Sequence, residues 1–256
     1  MTLPDEISPK SPVWSGEDLE ANPHTAVDKA RRIEAMFTSI ARKYDLNNRL
    51  HSMWQDQVWR HRAVALAEVT ETDDVVDVAC GTGDLAMAFC KAGAHSVLGI
   101  DFTLAMLDIA VTKAEIAGLP IEYRQGDAMD LKLNDESADI VSVAFGIRNV
   151  QDSTKAFTEF YRILRPGGRV IVLEFSTPTN AMIRTLNNFY TNRVMPITAT
   201  IIAGDTSGAY KYLPKSIETF TKPSELASEL ERVGFCDMEL SPQTFGVCTI
   251  IRALKR

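Results

Sequence analysis

The sequence predicts an α/β fold: a Rossmann-like, mostly parallel sheet of seven strands, with N-terminal helices and a C-terminal antiparallel hairpin strand. Two observations support this prediction. Short apolar stretches alternate with amphipathic ones through the middle of the chain, which is typical of a parallel sheet covered by helices on both faces. A glycine-rich stretch follows the first apolar stretch and an acidic residue ends the second, as in sheets that bind nucleotides.

Apolar periodicity gives the order of the elements. Five parallel strands are predicted at residues 74–79, 96–101, 121–124, 138–145 and 169–175. Helices are predicted at residues 84–91 and 104–117, and Asp152 caps a further helix that stops at a turn over residues 165–168. Near the C-terminus, Pro223 opens a helix that Gly234 ends, and strands at 235–240 and 246–253 pair as a hairpin.

The domain organisation follows from changes in this pattern. A proline-rich, polar stretch at residues 1–24 predicts a poorly ordered tail before a single domain at 25–256. Within the domain we expect a helical cap at 25–70, a nucleotide-binding core at 71–178, a substrate-side insertion at 179–222, and a C-terminal helix and hairpin at 223–256. The cap is predicted from apolar residues at helical spacing, which are Ile33, Met36, Phe37, Ile40 and Tyr44.

The charge balance argues against a nucleic-acid partner, because the chain of 256 residues has a net charge of −7. The charge is nevertheless uneven. Residues 25–62 contain eight basic and four acidic residues, so this stretch carries +4. Its simplest interpretation is a solvated helical face. The alternative is a face that contacts anionic lipid headgroups, where each basic residue contributes roughly 1 kcal/mol.

Cysteine and hydropathy patterns indicate the compartment. The four cysteines form no C-x-x-C pair and no histidine cluster accompanies them, so we expect reduced thiols and no metal site. The N-terminus has no apolar signal core, and the longest apolar run, at residues 194–203, is too short to span a bilayer. These features predict a cytoplasmic protein. A peripheral contact with the inner face of the membrane and a homodimer both stay open.

The glycine-rich loop at residues 77–83 reads Asp-Val-Ala-Cys-Gly-Thr-Gly. Gly81 and Gly83 allow a tight turn and a close approach to a ligand, and Asp101 can accept both hydroxyls of a ribose. A dinucleotide would place its pyrophosphate here, but Asp77 and Asp84 would repel it. A carboxylate at Asp77 instead suits a cationic amino group, and no tyrosine has a lysine four residues on, as a short-chain dehydrogenase requires. The loop therefore favours S-adenosylmethionine (SAM) over a nicotinamide cofactor.

A second stretch, Gly126-Asp127-Ala128, follows the third strand. In this kind of sheet the loop borders the adenine pocket, where Asp127 could accept a hydrogen bond from the adenine amino group. A turn-forming aspartate explains the same residue equally well.

Four stretches of the sequence together resemble the C-methyltransferases of menaquinone and ubiquinone biosynthesis, which are class I SAM-dependent methyltransferases. The resemblance extends from about Phe37 to Ile250. The four stretches are residues 43–48 (Lys-Tyr-Asp-Leu-Asn-Asn) through Trp59, residues 76–84 around the glycine loop, Phe-Gly-Ile-Arg-Asn-Val at 145–150 with the strand at 164–176, and Tyr-Lys-Tyr-Leu-Pro-Lys-Ser-Ile at 210–217.

The resemblance implies SAM contacts at Thr82, Asp101, Asp127 and Ala128. It also implies C-methylation of a prenylated hydroquinone, with demethylmenaquinol as the favoured acceptor and a methoxy-polyprenyl-benzoquinol as the alternative. Three positions depart from the family pattern: Ala144 stands where the family often has serine, and Trp54 and Asp56 occupy the positions of a Gly-x-His pair.

Catalytic candidates lie at the carboxyl edge of the predicted sheet. Arg148 is expected to stabilise a developing phenolate and Asn149 to bind a quinol oxygen. Tyr44 or Asp45 could relay the phenolic proton, although helix packing and capping explain both residues equally well. Glu174 ends the fifth strand and could face the site or be structural.

The isoprenoid tail of such a substrate needs an apolar groove. The best candidates are apolar residues of the 179–222 insertion, namely Phe189, Tyr190, Val194, Ile197, Ile201 and Ile202. From a different class, a SAM-binding scaffold subunit without turnover stays open at this point, although Arg148 and Asn149 argue against it.

Overall fold

The computed structural model describes residues 13–14, 22–203 and 208–256. Its strands and helices alternate as the sequence predicts. The helices are α1 Lys29–His51, α2 Gln55–Ala67, α3 Asp84–Lys91, α4 Leu104–Ile116, α5 Ser153–Ile163, α6 Ala181–Phe189, α7 Met195–Ala203, α8 Ala209–Glu218 and α9 Pro223–Val233. The strands are β1 Asp74–Val78, β2 Ser96–Asp101, β3 Glu122–Gln125, β4 Ala138–Ala144, β5 Leu164–Phe175, β6 Cys236–Gln243 and β7 Cys248–Leu254.

The seven strands form one sheet in the order β3-β2-β1-β4-β5-β7-β6. The first five strands are parallel, and β7 runs antiparallel to both β5 and β6. The predicted fold class is therefore confirmed. Because the strand order reverses between β1 and β4, a crevice opens at their carboxyl ends, where ligands bind in such sheets.

Helices cover both faces of the sheet. One core cluster packs α5 and α9 against the sheet through fully buried side chains such as Phe157, Phe160 and Leu230. The cluster on the opposite face packs α2 and α3, with Trp59 and Phe89 at its centre. A third cluster joins α1 to α4, α7 and α8. Helices α6, α7 and α8 form a helical lid above the carboxyl edge of the sheet.

The predicted turn at residues 165–168 takes a form that the sequence did not indicate. These residues belong to β5, which begins at Leu164 opposite Ala138 of β4. The next partner pair is Ile140 with Arg169, so residues 165–168 bulge out of the ladder. Gly167 has a φ of 83°. Such a left-handed conformation favours glycine.

Most of the predicted tail at residues 1–24 lies outside the described residues. Trp14 is described, and it departs from the prediction because its side chain is only 2% exposed. Its ring stacks on Tyr212 of α8, with 4.7 Å between the ring centroids. The Arg32 guanidinium lies 5.3 Å from the Trp14 ring centroid and donates to the carbonyl oxygen of Val13 at 3.1 Å. A tail residue thus packs onto the helical lid.

The substrate-side insertion predicted at residues 179–222 contains α6, α7 and α8. A π-helical turn at Tyr190–Val194 joins α6 to α7. Turns of this kind are rare and often occur at functional sites. The limits of the four predicted parts of the domain stay a prediction. Across the described residues, no helix combines the length and the apolar character needed to cross a bilayer.

Asp152 caps α5 as predicted, since its Oδ1 accepts a hydrogen bond from the Lys155 backbone N–H at 3.0 Å. We expect Asp152→Ala to lower the free energy of unfolding by about 1 kcal/mol, because one N–H at the helix start loses its partner. Urea unfolding monitored by circular dichroism measures this change. Asp152→Ser, which keeps a capping oxygen, should recover most of the loss. Equal losses in both variants would contradict a capping role.

Candidate active site

Two adjoining cavities lie at the carboxyl edge of the sheet. The smaller borders the ends of β1, β2 and β4, and the larger lies between α1, α2 and the α6–α8 lid. Phe37, Tyr44 and Phe145 line both cavities and form the wall between them. A ligand in the smaller cavity can therefore present a group directly to a ligand in the larger one.

Phe145 occupies a left-handed backbone conformation, with a φ of 58°. Its N–H donates to the Leu173 carbonyl at 2.7 Å. Its own carbonyl accepts hydrogen bonds from Arg148 Nη1 at 2.6 Å and from Asn149 Nδ2 at 3.4 Å. The conformation is rare for a bulky residue and costs on the order of 1–3 kcal/mol. Through its carbonyl, this residue orients the side chains of Arg148 and Asn149, two of the predicted catalytic residues.

The smaller cavity contains four of the seven predicted cofactor residues, namely Gly81, Asp101, Asp127 and Ala128. Asp101 Oδ2 accepts from the Gly81 N–H at 2.8 Å, and Oδ1 accepts from the Thr103 N–H at 2.8 Å. Asp127 Oδ1 accepts from the Met129 N–H at 2.9 Å. These backbone donors hold both carboxylates at the cavity, where they can accept from the hydroxyls and amino group of a nucleoside.

Asp77 lies below the glycine loop, and only 1% of its surface is exposed. Its Oδ1 accepts from Ser142 Oγ at 2.7 Å, whereas its Oδ2 is buried without a partner among the described residues. Burial raises the pKa of Asp77 to about 7. A buried carboxylate oxygen without a donor fits a cationic amino group, as the sequence predicts for the methionine part of SAM.

Gly83 and Thr82 have internal partners that the sequence did not indicate. Gly83 has a φ of 81°, and a Cβ on it would lie 2.3 Å from the hydroxyl oxygen of Tyr123. The glycine is therefore required by the packing of Tyr123. Thr82 Oγ1 donates to Asp45 Oδ1 at 2.5 Å. Neither residue lines either of these two cavities. Gly81 has open space where its Cβ would be, which leaves it as the glycine that a ligand can approach.

Asp45 lies beside the glycine loop and not in the lining of the larger cavity. Its Oδ2 contacts Lys113 Nζ at 2.6 Å, and Lys113 also contacts Asp84. Arg49 pairs with the same two carboxylates. Because Thr82 and these two cations occupy both oxygens of Asp45, the structure gives it the position of an ion-pair residue that ties α1 to α3 and α4. The predicted proton relay through Asp45 has no contact with the larger cavity.

Arg148 lines the larger cavity and is 5% exposed. Its Nη1 donates to Glu174 Oε1 at 2.6 Å, and its guanidinium carbon lies 5.3 Å from the centroid of the Phe175 ring. Its Nε is buried without a partner among the described residues. Glu174 thus fixes the guanidinium, and the cation keeps donor capacity for an oxygen in the cavity.

Arg60 is a second guanidinium in the same lining, which sequence reasoning missed. It is buried, pairs with Asp56 Oδ2 at 3.0 Å and lies 5.3 Å from the Phe145 ring centroid. Its Nε also has no partner among the described residues. The Asp-x-x-x-Arg spacing at positions 56 and 60, one helical turn apart, was the available signal. Asp56 stands where the family pattern often has the histidine of a Gly-x-His pair, and in this chain it is the ion-pair partner of Arg60.

Tyr44 is part of the wall between the two cavities, and Asn149 lines the smaller cavity. Burial raises the pKa of the Tyr44 hydroxyl, so this group is a hydrogen-bond donor and not a phenolate at neutral pH. Asn149 lines the smaller cavity, and its Oδ1 accepts from the Tyr212 hydroxyl at 2.9 Å. Tyr212 in turn stacks on Trp14. Sequence reasoning singled out the stretch that contains Tyr212 but not this contact.

The predicted tail groove needs correction. Of the six residues proposed for it, only Tyr190 lines the larger cavity, whereas Phe189, Ile197 and Ile201 are exposed. Polar residues of α6 and the π-helical turn face the cavity instead. The apolar lining comes chiefly from the other helices and from β5, through Met36, Phe37, Ile40, Trp59, Phe175, Met195 and Leu213.

Comparison with known proteins gives a family. A family model described as the ubiE/COQ5 methyltransferase family matches residues 25–255. A demethylmenaquinone methyltransferase from Thermus thermophilus is 43% identical over 216 residues, covering 84% of this chain and 97% of the relative. The ubiquinone/menaquinone biosynthesis C-methyltransferase UbiE of Geobacter sulfurreducens is 37% identical over 240 residues, covering 91% and 92%.

Solved structures support the fold. A SAM-dependent methyltransferase from Thermotoga maritima has a TM-score of 0.63 at 18% identity, covering 88% of this chain and all of that chain. Phosphoethanolamine N-methyltransferase 2 of Haemonchus contortus, solved with S-adenosylmethionine, has a TM-score of 0.58 at 15% identity, covering 79% and 52%. At these identities the likeness concerns the fold alone.

The buried carboxyl group of Asp77 makes stability depend on pH. Its pKa is about 7 in the folded protein and about 3.9 in the unfolded chain, so the folded state holds the proton more strongly between these values. The free energy of unfolding therefore falls as pH rises through this window. We expect Asp77→Asn to stabilise the ligand-free protein, by about 2 kcal/mol more at pH 8 than at pH 5.

Urea unfolding at the two pH values measures this difference. Asp73→Asn serves as the control with the opposite sign. Burial alone would raise the pKa of Asp73, but its hydrogen bonds with Arg169 and Thr70 lower it, so this variant should be destabilised at pH 8. A gain for Asp77→Asn that is equal at pH 5 and pH 8 would show that Asp77 is already ionised in the folded protein at pH 5.

Proposed function

The chain belongs to the ubiE/COQ5 methyltransferase family, and we propose that it transfers a methyl group from SAM to a ring carbon of a prenylated hydroquinone. The observation that carries this proposal is the pair of cavities divided by Phe37, Tyr44 and Phe145. One cavity offers carboxylates for a nucleoside, and the other offers buried guanidinium groups within aromatic walls. This arrangement suits a cofactor and an acidic aromatic acceptor that react across a shared boundary.

The residues of the smaller cavity fit SAM. Asp101 and Asp127 line this cavity and would accept from the ribose hydroxyls and from the adenine amino group, whereas Asp77, buried beneath the glycine loop and outside the lining, would accept from the cationic amino group. The unpartnered Oδ2 of Asp77 supports this assignment, because an isolated buried carboxylate oxygen is costly until a donor arrives. Bound SAM supplies an electrophilic methyl group on a sulfonium.

The residues of the larger cavity favour ionisation of a quinol. Arg148 and Arg60 bring two ion-paired guanidinium groups to a buried cavity, and hydrogen bonds from their N–H groups to a phenolate oxygen lower the pKa of a hydroxyl placed there. The hydroxyl proton passes to water, and the resulting phenolate raises electron density on the neighbouring ring carbon, which is the nucleophile of C-methylation. Arg148 then stabilises the oxygen through its remaining N–H groups, because its Nη1 already donates to Glu174 and to the Phe145 carbonyl, which hold the guanidinium in place. After methyl transfer, loss of the proton on that carbon restores the aromatic ring.

Tyr44 and the aromatic side chains position the ring and exclude water. Tyr44 remains protonated, so it can donate a hydrogen bond to the same oxygen or to its neighbour on the ring. Phe145, Phe175 and Trp59 form a contiguous aromatic wall, with ring centroids 4.6 to 6.1 Å apart. Such a wall suits the face of a quinol ring.

Demethylmenaquinol is the acceptor that we favour, because the relative at 43% identity is a demethylmenaquinone methyltransferase. A methoxy-polyprenyl-benzoquinol is the second candidate, since the name of the Geobacter relative includes ubiquinone as well as menaquinone biosynthesis. Both acceptors carry prenyl tails, so we also propose that the enzyme works at the surface of a membrane.

We expect loss of the Arg148 guanidinium to lower kcat about a hundredfold or more, because a donor to the developing phenolate is removed. Removing one partner of a buried pair is also destabilising. The test is therefore Arg148→Met in a Glu174→Gln background, which leaves no unpaired buried carboxylate, compared with Glu174→Gln alone. Kinetics with a short-tailed quinol measure kcat, and calorimetry measures SAM binding. The double variant should keep SAM affinity within a few-fold of the single variant. An equal loss of SAM affinity would move Arg148 into the cofactor site.

The acceptor is identified by methyl transfer to two reduced substrates measured in parallel, a short-tailed demethylmenaquinol and a demethylated ubiquinol precursor. We expect turnover of the naphthoquinol, because the relative at 43% identity is a demethylmenaquinone methyltransferase. Turnover of the benzoquinol as well would define an enzyme that serves both substrates. Binding of SAM without turnover of either would favour a scaffold subunit and contradict the proposal.

A further inference from the structure

Helix α6 has its polarity reversed relative to an ordinary surface helix. Met182, Leu186 and Phe189, at i, i+4 and i+7, form one stripe and are 69%, 63% and 64% exposed. The opposite side carries Asn187 and, in the adjoining turn, Thr191, which line the larger cavity. No residue of α6 is buried. The helix therefore turns polar groups towards the interior and large apolar groups towards the solvent.

Two neighbouring segments continue this apolar surface. Met53 and Trp54, at the corner between α1 and α2, are exposed and have φ values of 52° and 62°. The corner is tied to the π-helical turn after α6, because the Tyr190 hydroxyl donates to the His51 carbonyl at 3.1 Å. Phe245 is also exposed, with a φ of 58°. We name these residues the apolar face: Met53, Trp54, Met182, Leu186, Phe189 and Phe245.

Side-chain hydrogen bonds hold the Phe245 loop beside the corner. Thr244 Oγ1 accepts from the Trp59 indole at 2.8 Å and contacts Gln55 Oε1 at 3.3 Å. Gly246 approaches Pro178, three residues before α6 begins. Large apolar side chains at left-handed positions are uncommon, and here three such residues present their side chains to solvent. Packing within the protein gives no reason for this presentation.

The charges in and near α6 indicate which kind of partner binds the apolar face. Residues 175–204 contain no aspartate or glutamate, although the whole chain has a net charge of −7. The same stretch has two arginines, Arg184 and Arg193, and the described side chain of Arg193 is exposed. Exposed apolar side chains in a stretch that carries an exposed arginine and no acid match an interface of acyl chains and anionic headgroups. An acid-free surface on an acidic protein also avoids repulsion by such a membrane.

We propose that the apolar face inserts into the headgroup region of an anionic bilayer, and that α6 is the wall between the lipid and the substrate cavity. Membrane binding by the apolar face does not depend on the proposed function. Its role in substrate entry does rest on that function, because the face would let a prenylated quinol enter the larger cavity from the membrane. The polar inner side of α6 lines that cavity while its apolar outer side meets the lipid. One helix thus separates the two environments of the substrate.

Binding is tested by sedimentation with vesicles of phosphatidylglycerol and phosphatidylcholine, against phosphatidylcholine alone. We expect Leu186→Gln/Phe189→Gln to weaken binding to the anionic vesicles by about a hundredfold, at about tenfold per buried side chain. Arg193→Gln should weaken it about fivefold on anionic vesicles and leave phosphatidylcholine binding unchanged. Ile116→Gln is the matched control, because Ile116 is equally apolar and 83% exposed at the end of α4, outside the apolar face.

Tryptophan fluorescence reports insertion independently of activity. The chain has three tryptophans, and Trp14 and Trp59 are buried, so Trp54 on the apolar face is the one that lipid can reach. Vesicles that contain brominated lipid should quench the emission of the wild type but not of Trp54→Phe. Wild-type binding without quenching, or unchanged vesicle binding by the double variant, would overturn the proposal. So would a loss of self-association in that variant without a loss of vesicle binding.

Activity separates this proposal from the proposed function. Leu186→Gln/Phe189→Gln should methylate a water-soluble, short-tailed quinol at the wild-type rate and lose at least tenfold with a long-tailed quinol in anionic vesicles. Failure of the wild type to methylate either substrate would contradict the proposed function while leaving vesicle binding as the test of the apolar face. Equal activity of the variant and the wild type on both substrates would contradict the role of the face in substrate entry.

Discussion

The backbone turn at Phe145 is the constraint on which the site depends. Its left-handed φ of 58° turns the chain at the carboxyl end of β4, and its carbonyl accepts from both Arg148 and Asn149. Position 146 is a glycine because a Cβ there would lie 2.5 Å from the Cβ of Ala79, in the first half of the glycine loop. The close contact of these two loops sets the distance between the cofactor edge and the guanidinium groups. The Phe145 ring separates the two cavities. The strained turn at this residue therefore positions both the wall between the cavities and the side chains of Arg148 and Asn149.

Much of the fold could be predicted from sequence because strands, helices and caps depend on local patterns. Periodicity gave five parallel strands, and a single side chain gave the cap at Asp152. The site was predictable only where a motif is contiguous, as in the glycine loop with Asp101. Contacts between distant segments were not. Asp45 reaches Thr82 across 37 positions and Trp14 reaches Tyr212 across nearly 200, and neither spacing follows from a local pattern. Arg60 was missed for another reason, since a buried arginine on a helix looks like a solvated one until packing is known.

The inner and outer sides of the helical lid have different roles. Its inner side joins the substrate cavity through Tyr190, Met195 and Tyr212, and its outer side exposes the apolar stripe of α6. A helix that covers a cavity from the solvent side would normally bury its apolar stripe. In α6 the interior side is polar, so hydrophobic burial within the protein does not explain its orientation. The hydrogen bonds of Tyr190 with His51 anchor the end of the helix instead. Helix α6, unlike α7 and α8, has no buried residue, which suits an element that a substrate must pass.

The pairing of Arg148 with Glu174 decides how the cavity treats its ligand. Because the pair is buried and neutral as a whole, it adds little net charge to attract an already ionised phenolate from water. What the pair provides is orientation, since the carboxylate and the Phe145 carbonyl fix one edge of the guanidinium and leave other N–H groups to meet an oxygen. Such fixed donors favour the phenolate over the hydroxyl, because the strength of a charge-assisted hydrogen bond rises as negative charge develops. The site can therefore accept a neutral quinol and stabilise its anion during methyl transfer, which is the order of events that C-methylation requires.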